Sequence, residues 1–123
     1  MSHANAPAFF AMTDVDQGDP FIIRINHRDA IVHARRILTG KEKHRTHIRG
    51  AIVKQTADFN PGWSFHLNPD SIEFFELAME VCDASIRYVE DHLDAVGGDT
   101  LPGGHWCPWS SRLVAEVTSA IQV

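Results

Sequence analysis

The chain has 123 residues, of which 44% are hydrophobic and 22% are charged, and its formal net charge is −5. This is the length of about one domain, and the composition is that of a globular protein rather than a disordered, collagen-like or membrane-bundle chain. No apolar run approaches the roughly 20 residues that a membrane-spanning helix requires. The negative charge argues against general affinity for nucleic acid or for an anionic membrane.

The first 19 residues are predicted to form a mobile N-terminal tail, and residues 20–123 a single α+β domain. The first 20 residues contain neither a basic stretch nor a continuous apolar core, so they do not resemble a secretory signal. The expected location is therefore the cytoplasm, or the outside of the cell if a signal peptide was removed from the chain.

Charge is unevenly distributed along the sequence. Residues 1–54 contain nine Lys or Arg and five Asp or Glu, a net +4, whereas residues 55–123 carry −9. Most of the positive charge lies between residues 35 and 54. This basic segment is predicted to be a solvated helix end and loop, and the alternative is a surface for an acidic partner or an anionic ligand.

The first elements of the domain are a strand and a helix. Residues 21–25 are rich in Ile and Phe, which favours a strand, and residues 30–38 have apolar positions at helical spacing. Asn26 or Asp29 is suited to cap this helix at its N-terminus. Gly40 occupies the position of a left-handed C-cap residue.

Two alternating segments then predict an antiparallel hairpin with a long connection. Along residues 46–54, Ile48, Gly50 and Ile52 face one side, and along residues 63–67 every second residue is apolar. Gly50 predicts a bulge or a close approach of another part of the chain. The opposite face of the sheet would carry His47, Arg49 and His66, as an ordinary solvated face or as a platform for a ligand.

The strongest periodic pattern follows the hairpin. Apolar residues recur in steps of three and four, which predicts a helix of about 28 residues beginning after Asn68-Pro69 and ending at Gly97-Gly98. The positions of this apolar seam are Ile72, Phe75, Met79, Cys82, Ile86, Val89, Leu93 and Val96. An adjacent acidic stripe, which includes Asp83, is predicted to be solvated.

Residues 97–111 are predicted to form a long, ordered loop. Loops of this length in compact domains are usually functional or disordered, and its two tryptophans argue against disorder. At least one of Trp106 and Trp109 is expected to pack on the domain near Cys82, and the other to remain partly open to a ligand. The element order β-α-β-β-α-β predicts an α+β fold with helices on one face of an antiparallel sheet, most simply a ferredoxin-like plait.

No catalytic signature is present. The eight histidines do not stand at a recognised zinc spacing, and there is no phosphate-binding glycine loop, so neither a metal nor a cofactor is expected. Cys82 and Cys107 would be free thiols in a reducing cytosol and could form a bridge in an oxidising compartment. The candidate binding residues are Arg49, Trp63, His66, His105, Trp106 and Trp109.

Three stretches of the chain carry a family resemblance. Residues 59–69, 80–83 and 106–113, the last of which reads Trp-Cys-Pro-Trp-Ser-Ser-Arg-Leu, are similar to the N-terminal domain of a slime-mould calmodulin-binding protein and its small bacterial relatives. The resemblance covers residues 20–118 and implies partner binding, without defined catalytic residues. Because both cysteine positions belong to the family pattern and several relatives are exported, it also implies a Cys82–Cys107 disulfide.

Three hypotheses for function follow from these observations. The first is a non-enzymatic binding or accessory domain that recognises a protein, peptide or small molecule through the Trp-rich loop and the polar sheet face, with a homodimer as an open alternative. The second is a small cofactor-independent isomerase, cyclase or hydrolase that uses His66 or His105 as a general base. The third is a protease inhibitor that presents residues 101–111 as a rigid loop.

Overall fold

The protein structure, a computed structural model, describes residues 6–14, 18–77 and 80–117. In chain order the elements are β1 (Ala8–Asp14), β2 (Phe21–Ile25), α1 (Arg28–Leu38), β3 (His47–Val53), β4 (His66–Leu67), β5 (Glu73–Phe75), a 3₁₀ turn (Glu80–Cys82), α2 (Ile86–Asp91), a second 3₁₀ turn (Leu93–Ala95), β6 (Val96–Gly97), β7 (Thr100–Pro102), β8 (His105–Trp106) and β9 (Ser111–Val117).

The N-terminal segment is part of the fold, which corrects the prediction of a mobile tail for residues 8–14. Strand β1 lies in the middle of a three-stranded antiparallel sheet, between β2 and β9. Its side chains Phe10 and Met12 are fully buried. A short apolar stretch looks like a loose tail in sequence because its two partners lie elsewhere along the chain. Residues 1–5 and 15–17 of the predicted tail are outside the described residues.

Strand β3 organises a second set of antiparallel pairs. It pairs with β4 near its C-terminal end, with β5 near its N-terminal end and with β8 at its middle. The predicted hairpin is therefore present, with Ile52 opposite Leu67. Gly50 is also a point of close approach, as predicted, because a Cβ atom placed there would lie 3.1 Å from the Ser71 hydroxyl oxygen.

Helix α1 packs against the first sheet through its buried residues Ile31 and Ala34. The predicted caps Asn26 and Asp29 are wrong, because His27 occupies the N-cap without a side-chain hydrogen bond. The side-chain amide of Asn26 instead donates to Asp70 at 2.8 Å. The helix end was predicted correctly, and Gly40 has a φ of +80°.

The predicted helix of about 28 residues does not form. Asn68 closes a turn by accepting from the Asp70 and Ser71 amides at 2.9 and 3.0 Å. Residues 73–75 then pair with β3, and a new helix, α2, begins only at Ser85, whose hydroxyl accepts from the Tyr88 amide. The described seam residues are nevertheless buried or half-buried, and Met79 lies outside the described residues. The apolar pattern marked burial correctly, but strand pairing prevailed over helical spacing.

The α+β class is confirmed, with two helices and antiparallel sheets in the described chain. The ferredoxin-like plait is not confirmed, because the strands divide between the β2-β1-β9 sheet, the group around β3 and a small parallel β6-β7 pair. The segment predicted as a long loop, residues 97–111, contributes β7 and β8 to these sheets. Within the described ranges, no helix is long and apolar enough to cross a membrane.

Candidate functional site

The two faces of strand β3 contact different clusters of side chains. Successive side chains of a strand point to opposite faces, and directly paired residues share a face. Ile48 and Trp106, the partner of Gly50, belong to the large main core. His47 and its partner Phe75 lie on the other face. There, Phe75, Cys82, Cys107 and the half-buried Trp109 form a second, smaller group, the disulfide cluster.

Cys82 and Cys107 are joined as a disulfide in the structure, with their Cα atoms 5.2 Å apart. The Cys107 amide also donates to the Cys82 carbonyl at 2.7 Å. Two further hydrogen bonds join the same segments: the Trp106 indole donates to the Ala84 carbonyl at 2.8 Å, and the Trp109 amide donates to the Asp83 carboxylate at 2.9 Å. The Trp-rich segment is thus fastened to residues 82–84 at several points.

The three tryptophans occupy different environments. Trp106 is fully buried and contacts Phe21 and Phe65 in the main core, with ring centroids 5.6 Å apart in both pairs. Trp63 is also buried, and its indole donates to the Pro20 carbonyl at 2.9 Å. Trp109 is half-buried and packs edge-on against Phe75. One indole packs on the domain near Cys82 while another stays partly open, as the sequence analysis expected.

The polar groups of the outer face of β3 are engaged within the fold. Arg49 donates to the Glu73 carboxylate at 2.7 Å. His66 contacts the Gln55 carbonyl through Nδ1 at 2.7 Å. His47 and the position opposite His66 are six residues apart on β3, about 20 Å along a strand. The proposed platform of His47, Arg49 and His66 is therefore spread along the whole strand.

His47 has an unusual environment within this face. Its ring lies 4.8 Å from Trp109 and 5.4 Å from Phe75. Its buried Nδ1 is the one buried side-chain nitrogen or oxygen in the described residues without a hydrogen-bond partner. Burial lowers the pKa of His47, and the carboxylate of Asp83 partly opposes this shift. A lowered pKa favours the neutral ring at pH 7.

A groove of about 360 Å³ opens beside the disulfide cluster, between the segment that begins α2 and the start of the Trp-rich segment. It is lined by Val81, Asp83, Ala84, Ser85, Tyr88, Asp99, Thr100 and Leu101. Its two ionisable carboxylates, Asp83 and Asp99, are exposed, and none of its lining residues is Lys, Arg or His. We call it the acidic groove.

The sequence analysis missed most of the acidic groove. The long-helix prediction places Tyr88 on a helix and Asp99 in the loop that follows, so it assigns them to separate elements. The candidate residues Trp106 and Trp109 come close to the groove only through hydrogen bonds to Ala84 and Asp83. The usable signal was the pair of acidic residues on either side of a predicted helix end.

The basic segment forms a separate surface. The Glu42 carboxylate accepts from the His44 and Arg45 amides at 3.1 and 2.8 Å, and these bonds lower the pKa of Glu42. The His33 ring contacts the Arg45 carbonyl at 2.8 Å, which fixes this loop on helix α1. The loop is therefore ordered by its own polar contacts.

A family model for the N-terminal domain of the calmodulin-binding protein matches residues 6–120 of this chain. No curated protein and no solved structure matches it. Because the match covers nearly the whole chain, the chain belongs to the family of that N-terminal domain. This confirms the resemblance seen in the sequence and extends it to strand β1.

Proposed function

We propose that this protein is a non-enzymatic binding domain that takes a positively charged peptide segment in the acidic groove. The observation that carries the proposal is the composition of the groove: two exposed carboxylates, an exposed aromatic ring and no cationic lining residue. Membership of a family named for a partner-binding protein supports a binding role. An acidic groove does not suit an acidic partner such as calmodulin, so that partner is not transferred to this chain.

The apolar part of the groove favours a ligand with a long side chain. Val81 is 65% exposed and Tyr88 is 45% exposed, although both are large and largely apolar. Exposed apolar side chains that line a concavity are typical of binding sites. A Lys or Arg side chain can cover such a surface with its methylene stem and place its charge near a carboxylate.

The walls of the groove are held in place before any ligand arrives. The Tyr88 ring stacks on His92 with centroids 3.9 Å apart, and the Ser85 hydroxyl caps helix α2. Leu101 is buried with a φ of +48°, a conformation that costs a residue other than glycine on the order of 1–3 kcal/mol. A wall that is already ordered loses little entropy on binding, which favours affinity.

Titration calorimetry with short synthetic peptides would test this proposal. The peptides would contain one Lys or Arg between apolar residues, and matched peptides would carry Gln at the same position. We expect the cationic peptides to bind and the Gln peptides to bind at least tenfold more weakly. We expect Asp99→Asn to weaken cationic binding by about five- to tenfold, because a partly exposed charge pair contributes about 1 kcal/mol.

Asp94→Asn is the matched control, since Asp94 is exposed and acidic but does not line the groove. It should leave the affinity within about twofold of the original, apart from a small general charge effect. Equal weakening by Asp94→Asn and Asp99→Asn would mean that only the net charge matters. That result, or binding of no cationic peptide, would overturn the assignment of the groove.

A further inference from the structure

Three metal-ligating side chains converge at the disulfide from two segments of the chain. The Sγ atoms of Cys82 and Cys107 and a ring nitrogen of His105 all lie within 4.8 Å of one another. Two thiolates and an imidazole are a preferred donor set for Zn²⁺. We propose that, when the disulfide is reduced, Cys82, His105 and Cys107 bind one thiophilic divalent metal ion.

Contacts other than the S–S bond hold the two segments together. The hydrogen bond from the Cys107 amide to the Cys82 carbonyl joins the backbones directly. The bonds from the Trp106 indole to Ala84 and from the Trp109 amide to Asp83 lie on either side of it. None of these bonds involves a sulfur atom, so they keep the cysteines adjacent in the dithiol state.

His105 is held in register by the sheet. It pairs with Ala51 of β3, so its side chain points to the same face as the disulfide cluster. His105 is exposed, whereas Cys82 and Cys107 are buried, so an ion could reach the site from the His105 side. Zn–S and Zn–N bonds of about 2.3 and 2.0 Å place tetrahedral ligand atoms roughly 3.5–3.8 Å apart, a spacing that side-chain rotation can provide.

The two states of the site exclude each other. A dithiol or phosphine reductant supplies two electrons to the S–S bond and is itself oxidised, and the two sulfurs take up two protons as thiols. The metal ion then displaces these two protons and binds the thiolates. An intact disulfide leaves neither thiolate available, so the oxidised protein should lack the site.

Absorption spectroscopy with Co²⁺ tests the proposal on the full chain reduced with a phosphine. We expect one equivalent of Co²⁺ to give a sulfur-to-cobalt charge-transfer band, and one equivalent of Zn²⁺ to abolish it. The oxidised protein should give no such band. His105→Gln should weaken Zn²⁺ binding by at least tenfold, because even loss of a group that only supports a ligand costs about 10–100-fold.

His44→Gln is the matched control, since His44 is an exposed histidine on the basic segment, and it should bind Zn²⁺ as the original chain does. Near-ultraviolet circular dichroism would show whether the reduced chain keeps its native aromatic packing. The proposal is overturned if the reduced chain loses that packing, if the charge-transfer band is absent, or if His105→Gln binds as tightly as His44→Gln.

Discussion

The main core and the disulfide cluster lie on opposite faces of strand β3 and are built in different ways. The main core contains residues from both sheets and both helices, and at its centre Phe21, Phe65 and Trp106 contact one another. The disulfide cluster has three buried residues and the half-buried Trp109. It is held by a cross-link and by hydrogen bonds more than by apolar area. The candidate sites adjoin the smaller cluster, where side chains can change with less loss of the fold.

Replacing the two tryptophans of the Trp-rich segment one at a time gives the largest expected contrast. Trp106→Ala should lower the free energy of unfolding by about 3–5 kcal/mol, because it leaves a large cavity in a closely packed core. Trp109→Ala should lower it by roughly 1–2 kcal/mol, because a half-buried ring loses less area. Urea denaturation measures both values. Equal losses would mean that the two clusters form one cooperative core.

The main core was largely visible in the sequence. In residues 63–67 the apolar positions Trp63, Phe65 and Leu67 are buried, whereas Ser64 is exposed and His66 is half-buried, as the alternation predicts. Such local patterns succeed where one face of an element meets the core and the other meets solvent. They cannot reveal that β1 pairs with β9, because that pairing joins residues about 100 positions apart.

The region around the candidate sites was harder to predict. The seam residues Phe75 and Cys82 are buried in the disulfide cluster, whereas Ile86 and Val89 are buried in the main core. One helical seam would place all four on the same surface. The sequence shows which residues are apolar but not that the chain turns between two clusters. The acidic groove depends on this turn, so its lining could not be assembled beforehand.

A glycine substitution tests the packing between β3 and the turn that leads to β5. Gly50→Ala should cost about 1–3 kcal/mol, because its Cβ would lie 3.1 Å from the Ser71 hydroxyl oxygen and 3.3 Å from a Leu67 methyl carbon. Ser71 has little freedom to move, since its hydroxyl accepts from the Ala51 amide and donates to the Asn68 carbonyl. Thermal and urea unfolding measure the change.

Gly62→Ala is the matched control, because no other group lies within 4 Å of the added Cβ and its φ is not in the left-handed region. It should change the free energy of unfolding by about 0.5 kcal/mol or less, or raise it slightly through the unfolded state. If Gly50→Ala were equally harmless, the turn that leads to β5 would pack more loosely on β3 than the main core does.

The smallest expected effect is a pH dependence that belongs to the disulfide cluster alone. Burial lowers the pKa of His47 below its ordinary value of 6.5. As the pH falls below 6.5, the unfolded chain takes up a proton there before the folded chain does. The stability contributed by the neutral ring is therefore complete above pH 6.5 and is lost as the pH falls toward the lower folded pKa.

His47→Phe should therefore flatten the fall in stability between pH 7 and pH 5.5, because phenylalanine keeps the contacts with Phe75 and Trp109 but has no titrating group. The carboxylate of Glu116 does not interfere in this range, since its hydrogen bond to Arg35 lowers its pKa below 4.5. His44→Gln should keep the original slope. Urea unfolding of the oxidised protein at both pH values gives the comparison, and an unchanged slope in His47→Phe would show that His47 is solvated in the folded protein.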